Sequence, residues 1–352
     1  MARILSFCEA LNEALRQALE ADPRVIVMGE GVDDPRAIFG STRGLQERFG
    51  KTRVFDLPLS ENGMTGVAIG AALTGLRPVM THQRVDFTLY AMDQLVNHAA
   101  KRSYASGGLQ SVPITIRAVI GRGWGQGSQH SQSLQAFFMH APGFKVAMPA
   151  TAYDAKGLLL ASIEDPNPVI FLEHRALYAH TGDVPEAAYT VPFGKAAIRR
   201  PGTDATLVAV SYMVWEAMQA AQTLAQEGIE VEVIDLRTLK PWDAACVLES
   251  VNKTGRLIVA DTSWRTAGAA AEIAARVAEE AFHALKAPIR RVALPDLPTP
   301  TSAVLERAFY PGVEHFVVAV KDVLGASARS SGAGLEPVAA EDPAMRTFQG
   351  PF

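Results

Sequence analysis

The chain has 352 residues, 48% of them hydrophobic and 20% charged, too long for one typical domain and well supplied for two α/β cores. A net charge of −4 gives no electrostatic footing for nucleic acid or an anionic membrane surface as partner. No run approaches the roughly 18 apolar residues of a membrane span, and Cys8 and Cys246 form no CxxC pair, so neither a disulfide framework nor a zinc site is indicated.

From the N-terminus, Met1-Ala2-Arg3-Ile4 leads directly into an amphipathic pattern without a signal-peptide core, and a cytoplasmic protein with two inert, buried thiols is expected. Phe7, Leu11, Leu15 and Leu19 keep helical spacing and precede the apolar run Val25–Met28 and the turn Gly29-Glu30-Gly31. A strand at Arg53–Asp56 is followed by a small-residue helix from about Asn62 to Gly75. Its Gly63, Gly66 and Gly70 imply either tight helix–sheet packing or close approach by something else, since each glycine weakens an isolated helix by about 1 kcal/mol.

Further strands are expected at Pro78–Met80, Ile114–Ile120, Val146–Met148 and Val169–Leu172, with helical stretches at Tyr90–Tyr104 and Ala152–Ile163 between them. This alternation predicts a parallel, doubly wound sheet. Residues 181–192 carry Gly, Asp, Glu and two Pro, and read as a linker between a first domain (1–180) and a second (193–325). The pattern then restarts with strands at Ala205–Val210, Val231–Leu236, Leu257–Ala260 and Arg291–Leu294. Helices at Val214–Glu227, Ala244–Val251 and Ala267–Leu285 alternate with them. The pairs Arg199-Arg200 and Arg290-Arg291 read as solvated positions, and 326–352 as a flexible tail.

Three segments of the first domain carry candidate chemistry. Asp56-Leu-Pro-Leu-Ser-Glu61-Asn-Gly places a carboxylate between a strand and a helix. The helix N-terminus favours the ionised form and burial the neutral one, so such a group can be poised to exchange a proton; a plain N-cap is the simpler role. Gln83-Arg84-Val85-Asp86-Phe87 offers an aromatic that is either a stacking wall or core. Gly121-Arg-Gly-Trp-Gly-Gln-Gly-Ser-Gln-His130-Ser-Gln permits close backbone approach to a ligand and delivers a histidine to a strand's carboxyl end, where α/β sheets bind ligands. His82, His98, His140, His174, His180, His283 and His315 have no such setting and read as structural or solvated.

Taken with Met28-Gly-Glu, Arg53-Val-Phe-Asp, Ser60-Glu61-Asn-Gly, Ala91-Met-Asp-Gln94, Ser106-Gly-Gly, His130-Ser-Gln-Ser, His140-Ala-Pro-Gly, Asp154-Ala-Lys-Gly-Leu, Ile234-Asp-Leu-Arg-Thr-Leu and Lys253-Thr-Gly-Arg, these segments resemble the beta subunits of thiamine-diphosphate-dependent 2-oxoacid dehydrogenases. The resemblance runs from Phe7 to Leu324. It implies a pyrimidine-binding domain, a transketolase-type C-terminal domain and an α2β2 assembly. The expected reaction is oxidative decarboxylation of a small 2-oxoacid with acyl transfer to lipoyl, in complexes docked to an acyltransferase core.

The resemblance assigns Glu61 to the aminopyrimidine ring nitrogen, where proton exchange promotes deprotonation of the thiazolium carbon. It places Phe87 against the pyrimidine, Gln83 and Glu30 near the cofactor, and His130 near the reacting carbon. A structural potassium ion is implied around Ile114, Thr115, Ser162, Asp165 and Asn167. The Gly-Asp-Gly and following Asn that hold diphosphate and Mg²⁺ in the superfamily are missing. Gly182-Asp183-Val184 is the single Gly-Asp of the chain, so the Mg²⁺ site is expected on an alpha subunit. One departure stands out: Thr81-His82-Gln83-Arg84 replaces an acidic residue found in many relatives.

Two other enzyme readings and one binding reading compete. A nicotinamide dehydrogenase needs GxGxxG and an acidic residue about 20 positions on, whereas the loop here reads GxGxGxG. A transketolase-like carboligase shares the first half-reaction and differs in using an aldehyde acceptor. A non-catalytic binding subunit would have no use for Glu61 and His130 together.

Overall fold

The computed structural model describes residues 3–34, 36–121 and 126–325; the expected tail at 326–352 and the loop residues 122–125 lie outside them. In chain order the strands are β1 (Ile4–Ser6), β2 (Val25–Gly29), β3 (Val54–Phe55), β4 (Arg77–His82), β5 (Thr115–Ile120), β6 (Lys145–Ala147), β7 (Val169–His174) and β8 (Thr181–Asp183). They continue with β9 (Ala197–Arg200), β10 (Ala205–Ala209), β11 (Val231–Asp235), β12 (Thr238–Lys240), β13 (Leu257–Trp264) and β14 (Arg290–Leu294).

The described strands form a seven-stranded sheet in the order β12-β6-β7-β5-β4-β2-β3, a five-stranded sheet in the order β14-β13-β10-β11-β9 and a two-stranded ribbon of β1 and β8. The two larger sheets are parallel except at an edge, where β12 and β9 run antiparallel to their neighbours. The central strands are buried on both faces, which is why they read in sequence as continuous apolar runs. Alternate residues feed two cores. Val25 and Val27 face the helices Phe7–Ala21 and Ala152–Glu164, while Ile26 and Met28 face the Glu61–Leu73 helix and its neighbours.

The first helix forms where its pattern predicts. Ser6 accepts a hydrogen bond from Glu9 N–H, Glu9 answers at Ser6 N–H, and Phe7, Ala10, Leu11, Ala14, Leu15, Ala18 and Leu19 are buried. Elsewhere tertiary packing changes the expected elements. Tyr90–Tyr104 divides into a 3₁₀ segment ending at Ala91, a π-helical segment Asp93–Ala99 and one α-turn Arg102–Ala105. The helix expected over Ala267–Leu285 is Ala269–Glu280 followed by a short 3₁₀ turn. Helices at Ala303–Phe309 and Val313–Val323 were not foreseen.

The segment 181–192 is an ordered strap. Its β8 pairs antiparallel with β1, Tyr189 stacks on Tyr153 at 4.5 Å, and Val191 N–H donates to Gly157 O at 3.1 Å. Beyond it, β12 leaves the second half of the chain to finish the edge of the first sheet. The apolar core is continuous between the two sheets, running from Ile116 and Ile170 to Val208, Ile234 and Val259.

Of the arginine pairs expected to be solvated, Arg290 is exposed, whereas Arg199 is committed to the interior. Arg199 bridges the inaccessible carboxylates of Asp154 and Asp235, and Arg200 pairs with Glu230. Arg290 pairs with Asp322, and Arg291 donates to Arg265 O. Isolated buried carboxylates are too costly to leave unpaired, so the strand that covers them must carry cations. Cys8 and Cys246 are free and half-buried. Burial pushes the Cys8 thiol up to about 12, which keeps it inert. No described helix is long and apolar enough to cross a membrane.

Candidate active site

Strands β5, β4, β2 and β3 are adjacent and parallel, so the residues that follow them share one end of the sheet. Glu30 follows β2, Asp56 and Glu61 follow β3, Gln83 and Phe87 follow β4, and His130 follows β5. The carboxyl end of a doubly wound sheet is where ligands bind, and the catalytic and cofactor candidates named from sequence all follow strands that run toward that end. Gly29 permits the first turn: a Cβ there would stand 2.3 Å from Thr81 O, at a backbone φ of +153°.

Glu61 is the first residue of the Glu61–Leu73 helix. The simpler reading as an N-cap fails, because Ser60 occupies the cap position and Glu61 accepts no hydrogen bond from the described residues. A half-buried carboxylate left open at a helix N-terminus is available to something outside the chain. Its neighbours organise around it. Asp56 Oδ1 accepts Gly31 N–H at 2.5 Å, and the exposed Gln83 donates from Nε2 to Glu30 O at 3.2 Å. Burial first, then the charges of Glu61 and Asp56, raise the Glu30 carboxyl above its ordinary range, so Glu30 retains its proton longer than a free carboxylate does.

Phe87 and His130 meet edge to face, ring centroids 5.3 Å apart at 86°. Phe87 is half-buried, so one part of its ring anchors in the protein and the rest is open to a planar ligand. Beside it, Gln132 Nε2 donates to Asp86 Oδ1 at 2.7 Å, a contact not foreseen from sequence. At Gly121 a Cβ would stand 2.2 Å from His174 Nε2 with φ at +78°, which explains a glycine where the loop to His130 leaves β5. The three helix glycines also resolve. Gly66 packs on Gln94, but Gly70 faces open space and Gly63 meets only Ser60 Oγ. Both lie on the exposed side, so helix–sheet packing does not account for them.

The expected cation corner is assembled but already charged. Ile163 O and Asp165 O both accept from Arg77 Nη1, at 2.8 and 3.3 Å, and the Asp165 carboxylate takes Lys145 Nζ. Asn167 N–H donates to Asp165 Oδ1, Ser162 Oγ to Leu158 O, and Val169 N–H to Ile114 O. Thr115 pairs with Val169 in the sheet. Carbonyl and carboxylate oxygens suit a hard cation in kind; in this arrangement Arg77 and Lys145 supply the positive charge. Gly182-Asp183 lies within β8, paired with Leu5 and Ile4, and no cluster of metal-ligating side chains occurs among the described residues.

This fold and site define a class. Residues 4–181 match the transketolase pyrimidine-binding domain family and residues 194–316 the transketolase C-terminal domain family, whose members depend on thiamine diphosphate. Within that class the chain belongs to the family of pyruvate and acetoin dehydrogenase beta subunits. It is 45% identical over 334 residues to the acetoin:2,6-dichlorophenolindophenol oxidoreductase subunit beta of Cupriavidus necator, covering 92% of this chain and 98% of that one. It is 46% identical over 316 residues to the pyruvate dehydrogenase E1 component subunit beta of Rhizobium meliloti (90% and 69% covered). The rice (Oryza sativa subsp. japonica) mitochondrial pyruvate dehydrogenase E1 subunit beta-2 is 44% identical over 324 residues (91% and 86%). Among solved structures, a split-gene transketolase described as an inactive beta4 tetramer shares the fold, with a TM-score of 0.73, 23% identity and coverage of 91% and 98%.

Proposed function

We propose that this chain is the beta subunit of a 2-oxoacid dehydrogenase that decarboxylates a small 2-oxoacid and passes the acyl group to lipoyl, active only in an α2β2 complex. The observation that carries the reading is the open, half-buried Glu61 carboxylate at a helix N-terminus, on the same sheet end as Phe87 and His130. The donor set fits an aminopyrimidine, which needs a carboxylate at its ring nitrogen and a flat apolar wall.

When bound, thiamine diphosphate supplies the electron sink for the carbon that loses CO₂. Glu61 would hold and exchange a proton at the pyrimidine ring nitrogen, with the protonation-prone Glu30 as its neighbour. Phe87 would exclude water from one ring face and fix the edge of His130. His130 would then orient the 2-oxoacid or assist acyl transfer. Diphosphate and Mg²⁺ fall to the alpha subunit, and a potassium ion at the Asp165 corner would be structural. With relatives named as dehydrogenase and oxidoreductase subunits, no observation favours the carboligase alternative.

The test is decarboxylation by the co-expressed alpha–beta complex with thiamine diphosphate, Mg²⁺ and ferricyanide, across pyruvate and branched 2-oxoacids. Activity should require both subunits, and Glu61→Ala should lower kcat by about 10²–10⁴-fold in an intact complex. A cofactor-loaded complex inert toward every 2-oxoacid, or one indifferent to Glu61→Ala, would refute the assignment.

A further inference from the structure

The reaction above draws every group from the first domain, yet the segment that carries His130 is held by the second as well. Ser131, Ser133, Leu134 and Gln135 follow the histidine and are all buried. Gln135 Nε2 donates to Asp261 Oδ1 at 2.6 Å and to Thr262 Oγ1 at 3.0 Å, and both acceptors lie in the second half of β13. Upstream, a Cβ at Gly127 would stand 2.6 Å from Thr301 Oγ1, at a φ of +68°. The turn that His130 N–H closes onto Gly127 O therefore rests on Thr301 of the second domain.

The first domain fixes the same segment through Gly121 N–H to Gln132 O at 3.2 Å and Gln132 Nε2 to Asp86 Oδ1 at 2.7 Å. His130 is thus bracketed in the chain by second-domain contacts at positions 127 and 135. The contact at Gln135 does more than fill space. Asp261 is 1% exposed, and its described donors are all neutral: Gln135, the N–H and Oγ of Ser263, and Ala270 N–H. A hydrogen bond to a carboxylate is short and strong, and the carboxylate accepts only the donor end of the amide, so one orientation of Gln135 is selected. Gln135 Oε1 has no hydrogen-bond partner among the described residues, so the described bonds of this side chain all go to the second domain. Leaving a buried amide oxygen unmet costs stability, a cost that an apolar side chain at this position would avoid.

We propose that Asp261 and Thr262 are positioning residues for His130, acting through Gln135, with Thr301 bearing on the start of the same segment at Gly127. A reacting group misplaced by about 1 Å can cost about 10²-fold in rate, and the residues that hold such a group do so best from rigid elements. β13 is such an element. It is paired on both sides, with β10 and β14, and the Asp261 carboxylate that takes Gln135 also ties down the first turn of the Ala269–Glu280 helix. The second domain thereby acts on the reaction without touching it. This deepens the 2-oxoacid reading and rests on the place of His130 in it.

The test uses the reconstituted alpha–beta complex with pyruvate and branched 2-oxoacids, reading ferricyanide reduction and the acylation of lipoamide. Gln135→Met keeps the side-chain length and removes the donor. It should lower kcat by about 10-fold or more in the same step that His130→Ala impairs, with KM within about threefold. In the His130→Ala background it should change kcat by less than about twofold, because nothing is left to position. Thr206→Val makes a defect elsewhere in the second domain, in the buried hydroxyl trio of Thr206, Ser250 and Thr254. It should leave kcat within about twofold. A second readout needs no turnover. Diethyl pyrocarbonate, followed by peptide mass spectrometry, should modify His130 at least about threefold faster in Gln135→Met than in the wild-type complex, and at the wild-type rate in Thr206→Val. If Gln135→Met does not assemble, Thr262→Val, which removes one of the two acceptors, is read in the same way, with about threefold expected in kcat. Losses that add in the double variant, an equal loss in Thr206→Val, or a His130→Ala complex unimpaired in both steps overturns the inference and leaves the 2-oxoacid reading standing. A complex inert to every 2-oxoacid refutes that reading; a Gln135-dependent modification rate then keeps the positioning contact, and an unchanged rate refutes both.

Discussion

At the last position of β4, His82 is 3% exposed and its Nε2 has no hydrogen-bond partner among the described residues. Burial lowers it from its ordinary 6.5 to about 4. The sign follows directly. At pH 7 the ring is neutral in folded and unfolded chains alike. Below 6.5 the unfolded chain takes up a proton that the folded chain refuses until about pH 4, so stability falls through that window. Between pH 7 and pH 5 this one group should cost about 2 kcal/mol. Urea denaturation of His82→Leu at both pH values should show an acid-side loss smaller by that amount, and equal losses would mean that the folded chain protonates His82 freely. At this scale Glu61, Phe87 and His130 were legible because short motifs carried them. Asp261 and Thr262 were not, since they meet Gln135 from 126 and 127 positions away, and only the packing of the two domains brings them together.

The elements that sequence revealed were the central ones. Strands such as β5 and β7, buried on both faces, show as apolar runs, whereas β1, β8, β9 and β12 are three or four residues long and sit at edges, too short to show a period. The strap at 181–192 was read from its composition as a linker, but one buried lysine on the Ala152–Glu164 helix fixes it. Lys156 is inaccessible, and its Nζ donates to Glu13 Oε1 at 2.6 Å and to the carbonyls of Pro185, Glu186 and Ala187 at 2.6, 3.1 and 3.0 Å. Glu13 also holds Arg3, Pro185 O also accepts from Arg3 and Glu186 O from Gln17, so removing the ammonium takes one shared donor from all four oxygens and the one described donor from Ala187 O. Lys156→Met should therefore destabilise the chain by about 1–3 kcal/mol and open the strap to protease near Pro185. Unchanged stability would show that water substitutes for the ammonium without penalty.

On the scale of the whole molecule, the exposed side of the Glu61–Leu73 helix is the surface that the chain leaves unfinished. Leu59 is 84% exposed, Val67 56% and Tyr90 69%. The segment bearing Tyr90 packs on that helix, whose first residue is Glu61. Gly63 and Gly70 on the same side leave room for another backbone or side chain to come close. Scattered exposed apolar residues need no explanation, but a group gathered around an incomplete site marks an interface. The surface also fits a family of beta subunits, whose names imply an alpha partner. Val67→Glu would place a charge in the centre of that contact and, on the chain alone, only in water. It should leave the melting temperature of the isolated chain within about 1 °C, since surface substitutions usually stay within about 0.5 kcal/mol. It should weaken association with the alpha subunit by about 100-fold or more, since a buried unpaired charge costs several kcal/mol. Size-exclusion chromatography with light scattering reads both species. Full α2β2 assembly by the Val67→Glu chain would move the alpha interface away from this helix, and with it the explanation for the exposed glycines.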